Sequence, residues 1–370
     1  MLNTISLENF KSHRQTILQL DDSRLHGIVG QNNSGKTSIL QAVHYLSQLV
    51  DQPCSAVFQN DHHPEYLTTS GQTKTNVSVH GEEWLTALDW TGHDDGTWIL
   101  RTFWSADGER EFDHDWSSSL EDAPESILQA MGHTIYLKLA ANKLAQAAYS
   151  DEITPSLESD GSNLAPTLDY LRGESHAAFK KIQEMLRLVV PGVRSIDVRR
   201  AKVEVLKQRT IEVDGKTLPY EERREMAGQE IIFNMNGGDR IPAHAISEGT
   251  MLTLGFLTVL SSPQKPNLVL LDDIEQGLHP YAQRALVRLL KQILAENHDL
   301  QIIFTTHSPY IVDELMPTQV HVLHSTDEGY TMTKRLDEHP DAEWASQSLT
   351  TGEFWDAEGE SWVEQRPTGV

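Results

Sequence analysis

The residues with the plainest chemical purpose are Gly30-Gln31-Asn32-Asn33-Ser34-Gly35-Lys36-Thr37, a complete G-x-x-x-x-G-K-[ST] pattern. Glycines let such a loop turn its N–H groups inward around phosphates. A helix opening near Lys36 adds the positive end of its dipole. Lys36 then reaches the β- and γ-phosphates, the Thr37 hydroxyl ligates Mg²⁺, and Gly30 to Ser38 form the nucleotide-binding set. Leu268-Val269-Leu270-Leu271-Asp272-Asp273 supplies the acids such a site needs. Four apolar residues make a buried parallel strand, and ligands collect at the carboxyl ends of such strands. Asp272 is the partner of the metal, and Asp273 is placed to polarise an attacking water. A third apolar run, Ile302-Ile303-Phe304-Thr305-Thr306-His307, ends on a histidine that could hydrogen-bond the γ-phosphate or the water.

Elements must hold these groups. Leu2–Leu7 alternates as a half-buried strand, Ile17–Leu20 is a second, and Leu25–Gly30 is a buried strand ending on glycine. Ser38 to Val50 carries Ile39, Val43, Leu46 and Val50 on one helical face. Residues 51–75 read as a loop, 75–112 as antiparallel strands, 120–131 as a short helix and 134–139 as a strand. Residues 164–190 are mostly helical, and 194–246 read as several short strands with turns at Asp214-Gly215 and Gly237-Gly238. Helix 249–260, strand 267–271, helix 280–296, strand 300–305 and helix 309–315 complete an α/β alternation. No heptad or internal repeat is visible.

The chain has 370 residues, a formal net charge of −24 and a single cysteine, Cys54. The length suits one large α/β domain with an insertion. The charge argues against a surface that wraps a nucleic-acid backbone. The local exception is Arg194 to Arg209, with Arg194, Arg199, Arg200, Lys202, Lys207 and Arg209, which reads as a solvated strand pair or a DNA contact. One cysteine forms no intrachain disulfide and suits a reducing cytoplasm. No apolar run is long enough to span a membrane, and the N-terminus is not a secretory signal.

As a set, the motifs resemble the ABC-type ATPase heads, in particular the RecF-like and OLD-like ATPases related to structural-maintenance-of-chromosomes heads. The resemblance rests on the phosphate loop, Ser247-Glu248-Gly249-Thr250, Leu271-Asp272-Asp273-Ile274-Glu275-Gln276-Gly277-Leu278-His279-Pro280 and Thr306-His307-Ser308-Pro309, in that order. Leu7-Glu8-Asn9-Phe10-Lys11-Ser12-His13 and Glu158-Ser159-Asp160-Gly161-Ser162-Asn163-Leu164 also resemble family segments. It implies a P-loop head over residues 1–325: a mainly parallel core sheet, an antiparallel β subdomain and a helical insertion. Within it fall a lobe at 1–150, an insertion at 151–246 and the signature, acidic and histidine segments at 247–325. Residues 326–370 are left as a tail.

The resemblance further implies ATP with Mg²⁺ as cofactors, and a homodimer that sandwiches the nucleotide. Ser247, Glu248 and Gly249 would face the γ-phosphate held by a second copy. His307 resembles the switch histidine, and Lys11, Ser12 and His13 resemble residues beside the nucleotide. Two positions depart from the pattern. Asp273 stands where the family usually has glutamate, so its carboxylate falls about one methylene short and hydrolysis is expected to be slow, or assisted by Glu275. The glutamine loop has only Gln146 as a candidate.

The chain ends 63 residues after His307, too short for the nuclease domain of OLD proteins, so a separate effector or nuclease partner is expected. Trp344, Phe354, Trp355 and Trp362 in the tail suit a docking site or a tail packed on its own domain. Three functions follow: an ATPase switch controlling an effector in anti-phage defence or DNA maintenance, a RecF-like DNA-binding repair ATPase, or a weakly hydrolysing scaffold held together by ATP.

Overall fold

A computed structural model describes residues 1–59, 62–106, 109–114, 123–213 and 216–364, with the side chains of 109–114 and 207–221 left aside. The chain forms two compact units: residues 1–136, 265–275 and 287–370, and residues 137–264 and 276–286.

The first unit holds two six-stranded sheets. One is antiparallel, built from β1 (Thr4–Phe10), β2 (His13–Gln19), β4 (Lys74–His80), β5 (Trp84–Gly92), β6 (Trp98–Ala106) and β7 (Glu109–His114), in the order β2-β1-β4-β5-β6-β7. The other contains β3 (Leu25–Gly30), β8 (Thr134–Leu137), β12 (Leu268–Leu271), β13 (Gln301–Thr305), β14 (Val320–Ser325) and β15 (Thr331–Arg335), in the order β15-β14-β3-β13-β12-β8. In it β3 runs parallel to β13 and β14, β12 runs parallel to β13, and β15 closes one edge antiparallel to β14. All residues of β3, β12 and β13 are buried, as strands covered on both faces require.

Helix α1 (Lys36–Gln48) lies between the two sheets. One continuous core joins Ile5, Leu7 and Phe10 of β1, Ile39 and Val43 of α1, and Leu270 and Ile303 beneath. The apolar face read from the sequence is therefore only part of what α1 buries. The stretch 51–75, expected as a loop, contains two four-residue helices, α2 (Cys54–Val57) and α3 (Pro64–Leu67), before α4 (Glu125–Met131). Helices α9 (Pro280–Glu296), α10 (Pro309–Val312), α11 (Ala342–Ala345) and α12 (Thr351–Glu358) complete the elements that enter this unit.

The second unit contains α5 (Ala141–Leu144), α6 (Leu164–Glu174), α7 (His176–Val189) and α8 (Glu248–Leu260) with a three-stranded sheet. Here the structure corrects the expectation of several short strands. β9 (Val193–Val213) and β10 (Lys216–Met235) form one long antiparallel ribbon, and β11 (Arg240–Pro242) adds a short third strand. Register is continuous from Val213↔Lys216 to Asn234↔Ser195, with one irregularity before Met235. Charged residues run along much of 199–225. In an exposed ribbon they are tolerated, because cross-strand partners can be charged too. The Gly237-Gly238 turn is present, with Gly238 at φ 92, whereas Asp214-Gly215 lies outside the described residues.

Two residues of the basic stretch, Arg199 and Lys202, have acidic partners within the ribbon. Arg199 pairs with Glu230 at 2.8 Å, Lys202 with Glu225 at 2.5 Å, and Asp197 of β9 with Arg240 at 3.4 Å. Among the described residues no helix is long and apolar enough to cross a membrane.

Candidate nucleotide site

Strand β3 ends by delivering Gly30 into a backbone shape that excludes side chains. Gly30 has φ 145, and a Cβ there would stand 2.3 Å from the Leu323 carbonyl oxygen. Gly35, the N-cap of α1, has φ 92, and its Cβ would fall 2.6 Å from His13 Nε2 and 2.7 Å from Thr331 Oγ1. Both loop glycines are thus fixed by geometry and by crowding. Lys36 is buried, and its Nζ donates to the Gly30 and Gln31 carbonyls at 2.8 Å each. Burial lowers the Lys36 pKa, while the carboxylates of Asp273, Glu275, Asp272 and Glu360 oppose that shift.

The acidic strand meets the loop at Thr37. Its Oγ1 donates to the two Asp272 carboxylate oxygens, both at 3.0 Å. Thr305, at the end of β13, braces both acids: its Oγ1 donates to Asp272 at 2.7 Å and accepts the Asp273 N–H at 2.8 Å. Asp272 is buried and Asp273 exposed. Asp273 sits at φ 52, a left-handed conformation an aspartate tolerates at modest cost. Lys11 (φ 52) and Asn33 (φ 64) share that unusual backbone, so strain collects around this cleft.

The cleft has a volume of about 670 Å³ and is lined by Lys11, Ser12, the loop from Asn32 to Ser38, Asp273 and His307. Residues from four stretches of sequence therefore face one space. The chemistry of the donors fits a magnesium–nucleotide complex. Thr37 and Asp272 offer hard oxygen ligands side by side, and Mg²⁺ typically takes few protein ligands and completes its shell with phosphates and water. Among the described residues Ser34 Oγ is buried with no hydrogen-bond partner.

His307 is exposed, and its backbone N–H donates to Glu275 Oε1 at 2.7 Å. Glu275 thus holds the histidine's loop. Lys11 Nζ donates to Gln41 Oε1 at 2.5 Å, and Ser12 Oγ lies 2.8 Å from Thr331 Oγ1.

His13 departs from expectation. It is fully buried behind the loop rather than facing the cleft, with Nε2 3.1 Å from the Gly35 carbonyl and Nδ1 2.9 Å from Thr16 Oγ1. Burial pushes its pKa down to about 4. A neutral ring donating to Gly35 and accepting from Thr16 satisfies both contacts.

The other expected residues lie in the second unit. Ser247 is the N-cap of α8, and Ser247 and Glu248 are exposed. Gly249 is buried against the chain turn at Gly277, where a Cβ would stand 2.4 Å from the Gly277 carbonyl oxygen. Gln146 follows α5 and lines a separate cavity of about 330 Å³ with Asn142, Glu230 and His244.

Three contributors escaped the sequence. Thr305 gave a signal, since a threonine ending a buried strand beside an acidic one can brace it. Thr331 gave none: from β15 its N–H donates to the Ser12 carbonyl at 2.9 Å and its Oγ1 to the Ser34 carbonyl at 3.0 Å. Tyr136 of β8 packs its ring 5.2 Å from that of His44 on α1. Burial first, then Asp272, raises the pKa of its hydroxyl. The segment after residue 325 is likewise no appendage. Phe354, Trp355 and Trp362 are buried in the first unit, and Trp344 alone of the four aromatics is exposed, at 62%.

Residues 25–313 match the family described as "AAA domain, putative AbiEii toxin, Type IV TA system". A Helicobacter pylori protein named "ATP/GTP phosphatase" is 20% identical over 333 residues, covering 85% of this chain and 87% of that protein. The DNA replication and repair protein RecF of Chlorobium phaeovibrioides is 48% identical over 46 residues, only 12% of either chain. Among solved structures, an SMC head bound to the C-terminal winged-helix domain of ScpA superposes with TM-score 0.57 at 15% identity, over 91% of this chain and 98% of that one. An SMC head with an extended coiled coil, bound to the C-terminal domain of ScpA from Pyrococcus furiosus, gives TM-score 0.57 at 16% identity, over 94% and 99%. The fold is that of an ABC-type ATPase head of the RecF and SMC kind.

Proposed function

The chain belongs to this AAA-domain family, and on that premise we propose that it is a Mg²⁺-dependent ATPase whose nucleotide state switches a partner effector. One observation carries the reading: Lys36, Thr37, Asp273 and His307 face a single cleft, with Asp272 held by Thr37 at its edge. Lys36 counters phosphate charge as the γ-phosphoryl group departs. Thr37 and Asp272 would hold Mg²⁺, which supplies charge neutralisation at the transferring phosphate. Asp273 orients the water and accepts its proton. His307 donates to the γ-phosphate oxygens, positioned through the bond from its own N–H to Glu275.

A second copy completes the switch in this reading. Exposed Ser247 and Glu248, with Gly249 at the start of α8, offer a helix N-terminus to a γ-phosphate held by the partner. The family's description as a toxin–antitoxin component is in line with control of an effector, in anti-phage defence or DNA maintenance. The short match to RecF supports direct DNA binding only weakly, and the acids that answer Arg199 and Lys202 weigh against it.

The test is phosphate release from ATP by the purified chain with Mg²⁺, beside Lys36→Ala. Turnover equal to that of the variant refutes the enzyme. Sedimentation of Asp273→Asn with and without ATP tests the dimer: a single monomeric species in both removes the sandwich and the switch built on it.

A further inference from the structure

The proposed function leaves helix α12 without a role, yet it lies against the segment that carries His307. That segment is short: β13 ends at Thr305, and α10 begins at Pro309 and spans four residues. A single helical turn has no stability of its own, so its position is set by what it packs on. Ile311 and Val312 anchor it to the core. On its other side is the N-terminus of α12.

The contact is backbone to backbone at Gly352. A Cβ there would stand 2.1 Å from the Pro309 carbonyl oxygen and 2.6 Å from Asp313 Oδ1. No φ requirement imposes this glycine, since it is absent from the positive-φ positions. Closeness alone does. Gly352 N–H donates to Asp313 Oδ1 at 3.0 Å, and Thr351 Oγ1 donates to the Leu315 carbonyl at 2.8 Å. Asp313 is the C-cap of α10, so one carboxylate ties the end of the switch turn to the positive end of α12. Helix α12 is well founded for this task. Thr350 and Glu353 form a capping box, and Phe354 and Trp355 are buried. After Gly359 (φ 62) the chain turns back, and Glu360 joins the carboxylates that act on Lys36.

We propose that α12 is a built-in brace for the switch segment and that Gly352 is a positioning residue for His307. This rests on the role given to His307 above. A brace of this kind lets anything that grips the C-terminal segment, whose exposed face includes Trp344, alter turnover without touching nucleotide. A methyl group at position 352 pushes Pro309 away and moves His307 by a fraction of an ångström. Displacements of about 1 Å can cost about a hundredfold in rate.

The experiment compares Gly352→Ala, His307→Ala and the double variant, with Asp313→Asn and Thr351→Val as milder substitutions that add no bulk. Gly352→Ala is expected to lower kcat about tenfold with the KM for ATP little changed, and to add nothing in the His307→Ala background. Amide hydrogen exchange at residues 308–313 should quicken in Gly352→Ala and, to a smaller degree, in Asp313→Asn and Thr351→Val, while α1 keeps its protection. Additive losses in the double variant, or unchanged exchange at 308–313, overturn the brace. Should the wild-type chain release no phosphate, or His307→Ala match it, the catalytic reading falls by itself. The exchange arm then still decides the contact: quickened exchange supports the brace, and unchanged exchange ends it.

Discussion

The phosphate loop and the segment after residue 325 both shape the nucleotide site, by opposite means. The loop works through consecutive residues. Gly30, Gly35, Lys36 and Thr37 follow one another at fixed spacing, so covalent geometry almost suffices to aim them. The later segment works through single residues that arrive from afar. Thr331 binds the Ser34 carbonyl across 297 positions of sequence, and Gly352 meets Pro309 across the C-terminal turn. A function encoded by spacing can be seen in a string of letters. One encoded by proximity is invisible until the chain is folded.

Lys36→Ala should reduce turnover by about a thousandfold or more, since it removes the ammonium that the phosphate loop itself supplies against phosphate charge. Measurable activity within about tenfold of wild type would move the chemistry out of the loop. Asp273→Glu should act in the other direction. It restores the longer carboxylate and is expected to raise kcat about tenfold, read as phosphate release at saturating ATP. A fall instead would mean that the φ 52 backbone at Asp273 has re-aimed the shorter side chain to the right place.

Thr331→Val tests the distant contributor. It leaves the Ser34 carbonyl without its donor and keeps the volume, so ATP affinity should weaken about tenfold, consistent with the cost of an unmade buried hydrogen bond of about 1–3 kcal/mol. Titration with a fluorescent nucleotide measures this, and unchanged affinity would show that the loop holds its shape alone. The smallest effect near neutrality is that of pH. Burial lowers the pKa of His13, His26 and His44 to about 4 and of His321 to about 3. Below about pH 6.5 the unfolded chain binds protons that the folded chain refuses, so stability falls with acid until the folded values are reached. Each group costs about 0.7 kcal/mol between pH 7 and 6, steepening toward about 1.4 kcal/mol per unit below. Thermal unfolding followed from pH 7.5 to 5 should show a monotonic fall in Tm. A flat profile would mean that some of these rings are charged and paired in the fold.

Much of the first unit was legible. β3 was read at its observed limits, and β12, β13, α1 and α9 within a few residues, because buried parallel strands are unbroken apolar runs and the helices carry a clear face. The ribbon of β9 and β10 was not. Its residues were read as several short strands, because the continuity of two long ones comes from cross-strand pairing and not from local pattern. His13 misled for a related reason. It adjoins Lys11 and Ser12 in a motif, but the turn from β1 to β2 sends its ring inward to the Gly35 carbonyl.

The sequence by itself determined the chemistry: a loop able to cradle phosphates, a threonine and an aspartate for a hard cation, a second acid and a histidine after the next strand. Each follows from residue type and local spacing, which the covalent chain enforces. The tertiary structure alone decided which groups hold these in place. His13, Thr305, Thr331, Glu275 and Gly352 act through contacts of a few ångströms between segments far apart in the chain, and such contacts exist only after the sheets have closed around α1.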